Sequence, residues 1–266
     1  MPSSRSREAA VVYSVCATNY NCAHALRPHL ASVVRAFDGL PFEYIVVDNF
    51  SRDGSWDIFQ EWAASRSDVT LLRNRSTMGR GRNVAAAAAR GSRIVVVDTD
   101  VVYRQEARTA VEAWDRICPD LAVQLPLLGL YPRPVWDAVG GRGDLNTYED
   151  VDMWLRIHAL GRMRWCLVPM GENLKEAEAH GGGDYASRRY PPRERIRRLL
   201  RREWDLLRTR HYEGIDIERI VRANSVDLGL GTPLETWVKN RPVVPAADRM
   251  RVFGRLVFQL MRGRGP

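Results

Sequence analysis

Two carboxylates separated by one residue follow an apolar run near the middle of the chain. The run Ile94–Val97 has four consecutive β-branched residues, and Asp98 and Asp100 come directly after it. Such a run predicts a buried strand of a parallel sheet, and ligands of open α/β sheets bind where such strands end. Close carboxylates repel each other unless a cation compensates them, and Mg²⁺ commonly takes one or two carboxylates plus substrate phosphates. The spacing therefore predicts a divalent-cation site, with an ordinary strand-end turn as the alternative.

Strand-like and helix-like segments alternate four times up to Asp98. Helical periodicity predicts a helix from Cys22 to Phe37, a second one with Trp56 and Phe59 inward, and a third in the alanine-rich segment that Gly91 ends. Gly79 and Gly81 are expected in the loop before that third helix. The earlier strands are expected at Val11–Ala17, Tyr44–Val47 and Val69–Leu72. This alternation predicts a mostly parallel sheet flanked by helices.

The pattern changes after Asp100. A flexible glycine-rich loop is expected at Gly140–Thr147, between a short helix and a longer one. The other elements expected are helices at Gln105–Ile117, Pro134–Val139 and Val151–Leu160, and strands at Leu121–Leu127 and Met163–Val168. From Pro191 a long arginine-rich helix is expected to bury one face, made of Ile196, Leu199, Leu200, Trp204 and Leu207. We therefore expect a nucleotide-binding and catalytic domain over residues 1–190 and a helical C-terminal region over residues 191–266.

Composition limits the class of protein. The formal net charge is +8, and Lys175 and Lys239 are the only lysines. A basic surface suits phosphate-bearing ligands, anionic membranes or nucleic acid, although arginine richness also arises from a biased genome or a hot habitat. The four cysteines form no C-x-x-C pair, so buried reduced thiols are expected rather than zinc or disulfides. The polar N-terminus and the lack of an apolar run of about 18–20 residues indicate a cytoplasmic protein.

Five short motifs occur in a fixed order along the first two thirds of the chain. They are Thr18–Asn21, Val46–Ser51 with Asp53–Ser55, Asn74–Gly91, Asp98–Asp100 and Glu149–Arg156. In this order they resemble the motifs of family 2 glycosyltransferases, which have the Rossmann-like GT-A fold. The resemblance extends over roughly Val11 to His180.

The resemblance implies inverting transfer of a sugar from a nucleotide-sugar to an acceptor hydroxyl, with Mn²⁺ or Mg²⁺ at the D-x-D. Asp100 would coordinate the metal, and Asp98 would contact it or the donor ribose. His180 would complete the metal or diphosphate site; the alternative is an ordinary surface or core histidine. Thr18, Tyr20 and Asp48 would hold the nucleoside, although Tyr20 also suits plain packing.

Two further positions bear on the donor. Asn49 replaces the acid frequent in the family, so the donor could be a UDP-, GDP- or dTDP-sugar, because an amide both donates and accepts. Arg82 would hold a phosphate or the base; the alternative is a solvated arginine at a helix start.

The acceptor side rests on three residues. Asp150 matches the position of the family's general base; its alternative role is a helix N-terminal carboxylate that favours the macrodipole. Glu149 would contact the acceptor or cap the helix, and Trp136 would form an acceptor wall or belong to the core. The acceptor itself would be a glycan or a lipid-linked glycan.

Two other functions remain open. A polyprenyl-phosphate glycosyltransferase of the dolichol-phosphate-mannose type shares the fold and the D-x-D and acts at a membrane surface. The segment Ala246–Arg262 predicts a basic amphipathic helix that lies on the inner face of an anionic membrane, or else docks on the enzyme or a second subunit. A nucleic-acid-binding protein would explain the charge but not the ordered acids, so no nucleic-acid partner is expected.

Overall fold

The computed structural model describes residues 12–174, 192–212 and 214–234. Strands and helices alternate through most of this length, as the periodicity indicates. In chain order the elements are β1 (Tyr13–Asn19), α1 (Ala23–Phe37), β2 (Phe42–Asp48), α2 (Ser55–Ala63), β3 (Val69–Arg73), α3 (Met78–Ala88), β4 (Arg93–Asp98), β5 (Val101–Tyr103), α4 (Glu106–Ile117), β6 (Ala122–Leu125), β7 (Leu128–Pro132), α5 (Arg133–Ala138), α6 (Glu149–Ala159), β8 (Met163–Trp165), β9 (Gly171–Asn173), α7 (Pro192–Arg208), a 3₁₀ turn (Arg210–Tyr212) and α8 (Ile217–Ala223).

The main sheet has seven strands in the order β3-β2-β1-β4-β7-β6-β8. Every neighbouring pair is parallel except the two that involve β7, which runs antiparallel to both β4 and β6. Strands β5 and β9 form a separate antiparallel pair beside it. The expected mostly parallel sheet flanked by helices is confirmed, and its topology is that of the GT-A fold.

The sheet is covered on both faces, which explains the continuous apolar run of β4. Val95 and Val97 contribute to a core formed with helices α1, α2 and α4, where Trp114 is completely buried. Ile94 and Val96 contribute to a second core on the opposite face, formed with α3, α5 and α6. Because successive side chains of a strand point to opposite faces, a strand buried on both sides requires apolar residues at every position.

The antiparallel strand β7 was not foreseen from the sequence. The apolar run from Leu121 suggests one strand, but the structure has β6, a turn with Leu127 at φ 69°, and then β7. Gly129 lies within β7, where a Cβ atom would be 2.6 Å from the Tyr131 ring. A glycine inside a strand often marks the close approach of another group, and here Gly129 makes room for the ring of Tyr131.

The predicted start and end of the third helix were wrong. Gly79 and Gly81 belong to the first turn of α3 rather than to a loop. A Cβ atom on Gly79 would overlap the carbonyl oxygen of Gly143, and one on Gly81 would lie 2.9 Å from Thr18 Cγ2. Gly91 does not cap the helix, which ends at Ala88. It lies beside Val12 instead, and a Cβ atom on Gly91 would be 2.5 Å from the Val12 carbonyl oxygen. These glycines permit close approach of backbone segments rather than turns.

Helix α7 is present, but Trp204, which was predicted to lie on its buried face, is exposed. Trp204 is 60% exposed, whereas Glu203, Asp205 and Leu206 are buried. At residues 203–206 the buried side of the helix therefore differs from the side that apolar periodicity suggests. Its inner side includes polar groups, and the contacts of Asp205 with a neighbouring loop, described below, are the physical reason.

The cysteines and the membrane-spanning potential of the helices are the features that composition addressed. All four cysteines are buried and none of them is in a disulfide, as expected, and burial raises the pKa of the Cys16, Cys118 and Cys166 thiols. Among the helices of the described ranges, none has the length and apolar character needed to cross a membrane. His180 and the segment Ala246–Arg262 lie outside the described residues.

Candidate active site

Three parallel strands end side by side at one edge of the sheet. Thr18 is in register with Asp98 across β1 and β4, and Asn19 is in register with Asp48 across β1 and β2. The order of the strands therefore gathers motifs that lie up to 80 residues apart in the chain. This edge is where open α/β sheets bind their ligands.

The D-x-D segment is held from both sides. The backbone N–H of Asp98 donates to the Tyr103 hydroxyl at 3.0 Å, and that hydroxyl donates to the Leu127 carbonyl at 2.8 Å. Beyond it, the Leu174 N–H donates to the carbonyl of Asp100 at 2.9 Å, where β9 lies beside β5. The Asp98 side chain is 39% exposed, so it can still meet a ligand.

The donor atoms at this edge fit a divalent cation that is shared with a phosphate-bearing substrate. Asp98 and Asp100 offer carboxylate oxygens, the hard ligands that Mg²⁺ and Mn²⁺ favour. Among the residues that the structure describes, no three histidine, cysteine or acidic side chains are arranged so that they could bind a metal ion together. A cation at Asp98 and Asp100 would thus need further ligands from the substrate, as is usual for Mg²⁺ with nucleotides.

Arg82 joins the end of β4 to the start of α6. Its two terminal nitrogens form ion pairs with Asp98 and with Glu149, and the residue is only 5% exposed. Burial by itself would lower the pKa of Arg82, but the carboxylates of Asp98, Glu149 and Asp150 raise it, so the guanidinium stays charged. The alternative of a solvated helix-start arginine is wrong.

Glu149 and Asp150 begin α6 but have different surroundings. Glu149 is 5% exposed and its Oε1 also lies 3.3 Å from Arg142 Nη1. Burial and the neighbouring charge of Asp150 raise the pKa of Glu149 to about 7, against the opposing effect of Arg82 and Arg142. Asp150 is partly exposed, and its Oδ1 accepts the N–H of Val151 at 2.8 Å. Asp150 is therefore the more accessible of the two acids.

Asp48 is completely buried at the end of β2. Its carboxylate accepts hydrogen bonds from Asn19 Nδ2 at 2.9 Å and from the Ser51 hydroxyl and N–H at 2.5 and 3.0 Å. Arg73 Nε lies 3.4 Å from the other side of the same carboxylate. In this arrangement Asp48 shapes the loop after β2 and does not itself present its oxygens to solvent, in contrast to the expected contact with the nucleoside.

The loops after β2 and β3 are joined through Asn49. Its Nδ2 donates to the Ser76 carbonyl at 3.2 Å, and its Oδ1 accepts the Ser76 N–H at 3.3 Å. Thr18 and Tyr20 are partly exposed at the same edge. The amide of Asn49 thus makes one donated and one accepted hydrogen bond within the protein, and the residue is partly exposed.

Phe50 is a residue of this edge that sequence reasoning missed. It is 38% exposed with a φ of 56°, which is unusual for a bulky residue. The guanidinium carbons of Arg73 and Arg75 lie 5.3 and 5.1 Å from its ring centroid. The available signal was an aromatic residue within the otherwise polar exit loop after β2.

Trp136 lies in the core rather than on an open surface. It is 4% exposed, and its ring meets Tyr131 edge-on with centroids 5.5 Å apart. The core alternative for this residue describes the structure, and an acceptor wall made of Trp136 is not what the structure shows.

The loop expected to be flexible, Gly140–Thr147, is anchored along its length. Asn83 and Arg142 exchange two hydrogen bonds of 2.8 Å, side-chain amide to backbone. Asp144 accepts the Thr77 hydroxyl at 2.6 Å, and Asp205 of α7 accepts two N–H groups near the end of the loop. This loop leads directly into Glu149 and Asp150, so its anchors bear on the site.

The first half of the chain is similar to a known protein family. Residues 14–132 match the family model described as Glycosyl transferase family 2, which is somewhat less than half of the chain. No curated protein matches the sequence.

Solved structures extend the likeness to nearly the whole chain. The mannosyltransferase PcManGT from Pyrobaculum calidifontis, in complex with GDP-Man and Mn²⁺, is 18% identical with a TM-score of 0.57, covering 94% of this chain and 79% of that one. S. aureus TarS 1-349 with UDP-GlcNAc is 15% identical with a TM-score of 0.55, covering 93% and 82%.

Two other TarS structures are matched over a smaller part. TarS 1-349 with UDP is 16% identical with a TM-score of 0.53, and the match covers 60% of this chain and 59% of that one. A second TarS structure, with the same TM-score, is covered over 36% of its length. Such low identities establish the shared fold. The match over residues 14–132 shows that this part of the chain is similar to Glycosyl transferase family 2.

Proposed function

We propose that this protein transfers a sugar from a nucleoside-diphosphate sugar to an acceptor hydroxyl, with inversion at the transferred carbon. The observation that carries the proposal is the Arg82 bridge, which ties Asp98 at the end of β4 to Glu149 at the start of α6. It brings the acids expected on the donor side and those expected on the acceptor side to one edge of the sheet.

The donor would lie across the ends of β1, β2 and β4. Thr18 and Tyr20 are partly exposed there, and Asp48 and Asn49 shape the loop beside them. The structurally similar proteins hold UDP, UDP-GlcNAc or GDP-Man, which supports a nucleotide-sugar but leaves its base open. A cation held by Asp98 and Asp100, Mn²⁺ or Mg²⁺, would neutralise charge that develops on the leaving diphosphate.

Asp150 would act as the general base of the transfer. It takes the proton from the acceptor hydroxyl as that oxygen forms a bond to the anomeric carbon. The bond between this carbon and the diphosphate oxygen breaks, and the nucleoside diphosphate leaves with the electron pair. Asp150 suits this task because it is partly open to solvent, whereas Glu149 beside it is buried against Arg82 and Arg142. Glu149 then holds the start of α6 in place.

A donor panel tests the proposal. The full-length protein is incubated with UDP-, GDP- and dTDP-sugars, with Mn²⁺, Mg²⁺ or a chelator, and thermal stabilisation and donor hydrolysis are followed. We expect one base to stabilise the protein strongly, with loss of that stabilisation in chelator. If no donor stabilises the protein or is hydrolysed, with or without metal, the proposal is wrong. An oligonucleotide in the same panel tests the nucleic-acid alternative.

A lipid-linked acceptor is the second candidate, and one observation favours it. On α7 the exposed Trp204 is flanked along one stripe by the exposed Arg197, Arg201 and Arg208. An exposed tryptophan among arginines suits the headgroup region of an anionic membrane. The sequence suggests a second membrane-facing helix at Ala246–Arg262.

Vesicle sedimentation tests this candidate. We expect the full-length protein to pellet with phosphatidylglycerol vesicles at low salt and to be released at high salt. If both surfaces bind the membrane, truncation before Ala246 and the variant Trp204→Ser should each weaken pelleting. The free energy of unfolding of Trp204→Ser should stay that of the wild type. Equal recovery in the supernatant with and without vesicles would leave a soluble glycan as the acceptor class.

A further inference from the structure

The turn that leads into the proposed base is held by the C-terminal part of the chain. Helix α6 begins at Glu149, and the residue before it, Tyr148, has a φ of 63°. A non-glycine residue in the left-handed region is strained, so surrounding contacts must hold it there. Those contacts determine where Asp150 points.

Asp205 supplies the first of them. Its Oδ2 accepts the N–H groups of Asn146 at 2.7 Å and Thr147 at 3.2 Å, and the residue is 4% exposed. Burial raises the pKa of Asp205, while the two backbone N–H donors oppose that effect. A buried carboxylate is costly unless such donors compensate it, so the loop and Asp205 depend on each other.

Tyr212 supplies the second, from the 3₁₀ turn that follows α7. Its hydroxyl donates to Asp152 Oδ1 at 2.8 Å, and the other oxygen of Asp152 is paired with Arg156. Asp152 lies in the first turn of α6. The two contacts therefore bind the chain on both sides of Asp150, one at residues 146–147 and the other at residue 152.

We propose that Asp205 and Tyr212 are positioning residues for the transfer step, and that the segment 205–212 is part of the active site. The proposal rests on the function proposed above, with Asp150 as the base. None of the contacts of this segment described here reaches the ends of β1, β2 or β4, so it acts on the acceptor side and not on donor binding. Small displacements of a reacting group can cost about 100-fold in rate.

The experiment compares Asp205→Ala, Asp205→Asn and Tyr212→Phe in the full-length protein. We expect Asp205→Ala to lower kcat by about 10–100-fold with donor affinity within about twofold of wild type. Asp205→Asn should recover most of the rate, because its amide oxygen can accept the same two N–H groups. Tyr212→Phe should lower kcat less, since it removes only one of the two contacts.

Asp216→Ala is the matched control. Asp216 is an exposed aspartate of the same region whose carboxylate also accepts a backbone N–H, that of Arg219 at 2.9 Å. All rates are measured well below the lowest Tm of the set. If Asp205→Ala and Asp216→Ala change kcat equally, or if Asp205→Ala weakens donor binding in parallel with kcat, the positioning role is wrong.

Hydrogen exchange separates this inference from the proposed function. Asp205→Ala should increase exchange at the amides of Asn146 and Thr147 whether or not the protein transfers sugar. Unchanged exchange there would overturn the inference by itself. Increased exchange in a protein whose Asp150→Asn variant keeps full activity would instead show that the contacts exist but that Asp150 is not the base.

Discussion

At the scale of single residues, the two acids at the start of α6 show how surroundings divide their roles. Glu149 is buried between Arg82 and Arg142, whereas Asp150 next to it remains partly open. Adjacent carboxylates in one turn thus have different access to a substrate. The motif already suggests different roles for the two acids, and their burial adds a physical reason for the difference.

Asp150→Asn should separate chemistry from binding. The amide keeps the size of the side chain and can still accept the N–H of Val151, but it cannot take a proton at neutral pH. We expect kcat to fall about 10²–10⁴-fold with donor affinity nearly unchanged, measured by steady-state transfer and by calorimetry. Asp137→Asn, an exposed acid on α5, is the control. Loss of donor binding would instead assign Asp150 to the nucleotide site.

Asp100→Ala tests the cation site. The carboxylate beside the proposed diphosphate position would be gone, and the remaining Asp98 is already paired with Arg82. We expect transfer to be lost, together with the dependence of nucleotide affinity on divalent metal. Asp57→Ala, at an exposed position on α2, changes the charge equally and should retain both. Metal-dependent affinity that survives in Asp100→Ala would refute the assignment.

At the scale of elements, the start of α3 illustrates close packing that overrides helix propensity. Gly79 lies where a Cβ would overlap the Gly143 carbonyl, and its N–H donates to the Leu145 carbonyl at 3.0 Å. The loop before α6 can approach α3 this closely only because position 79 has no side chain. The same loop is also bound by Asp205 of α7, so α3, this loop and α7 meet next to the start of α6.

Gly79→Ala should therefore destabilise the protein although alanine is the better helix former. Propensity alone would favour alanine by up to about 1 kcal/mol, but overpacking against backbone typically costs about 1–3 kcal/mol. Urea unfolding should show a lower free energy of unfolding with an unchanged m-value. Arg80→Ala, on the exposed side of the same helix, should stay within about 0.5 kcal/mol of wild type. Stabilisation by Gly79→Ala would mean that the loop is not where the structure has it.

At the scale of the whole molecule, buried ionisable groups link the stability of the fold to pH. Glu149 has its pKa raised from 4.5 to about 7, mainly by burial. The folded protein therefore binds this proton more tightly than the unfolded chain, so the contribution is full below pH 4.5 and is lost as pH rises through 7. His29 acts oppositely, because burial lowers its pKa from 6.5 to about 4 and its contribution is lost as pH falls.

The variant Glu149→Gln isolates the first effect, because His29 is common to both proteins. The difference in Tm between the variant and wild type should shift in favour of the variant by a few degrees as pH rises from 4.5 to 7. Glu172→Gln, an exposed acid on β9, should show a constant difference over the same range. A constant difference for Glu149→Gln as well would mean that Arg82 and Arg142 keep Glu149 ionised throughout.

Much of the fold follows from local pattern. The β-branched run before Asp98, the helical spacing of Leu26, Leu30 and Val33, and the glycine after α6 each express a constraint within a few residues of the chain. Such constraints are visible in the sequence because the buried positions of a helix or strand recur at a regular spacing and favour apolar residues. The alternation of strand and helix, and the two acids at a strand end, were therefore evident in the sequence.

What the sequence could not decide depends on partners that are distant in the chain. Arg82 meets Glu149 across 67 residues, and Asp205 meets Asn146 across 59. No periodicity encodes such pairs, since an ion pair or hydrogen bond is selected by the packing that brings its members together. For the same reason Trp204 is exposed although it continues an apolar stripe, and Gly129 lies inside a strand. The sequence by itself determined the parallel strands and the acids at their ends; only the tertiary structure decided the place of the antiparallel strand β7 and which of the acids are buried, which are paired and which remain partly exposed.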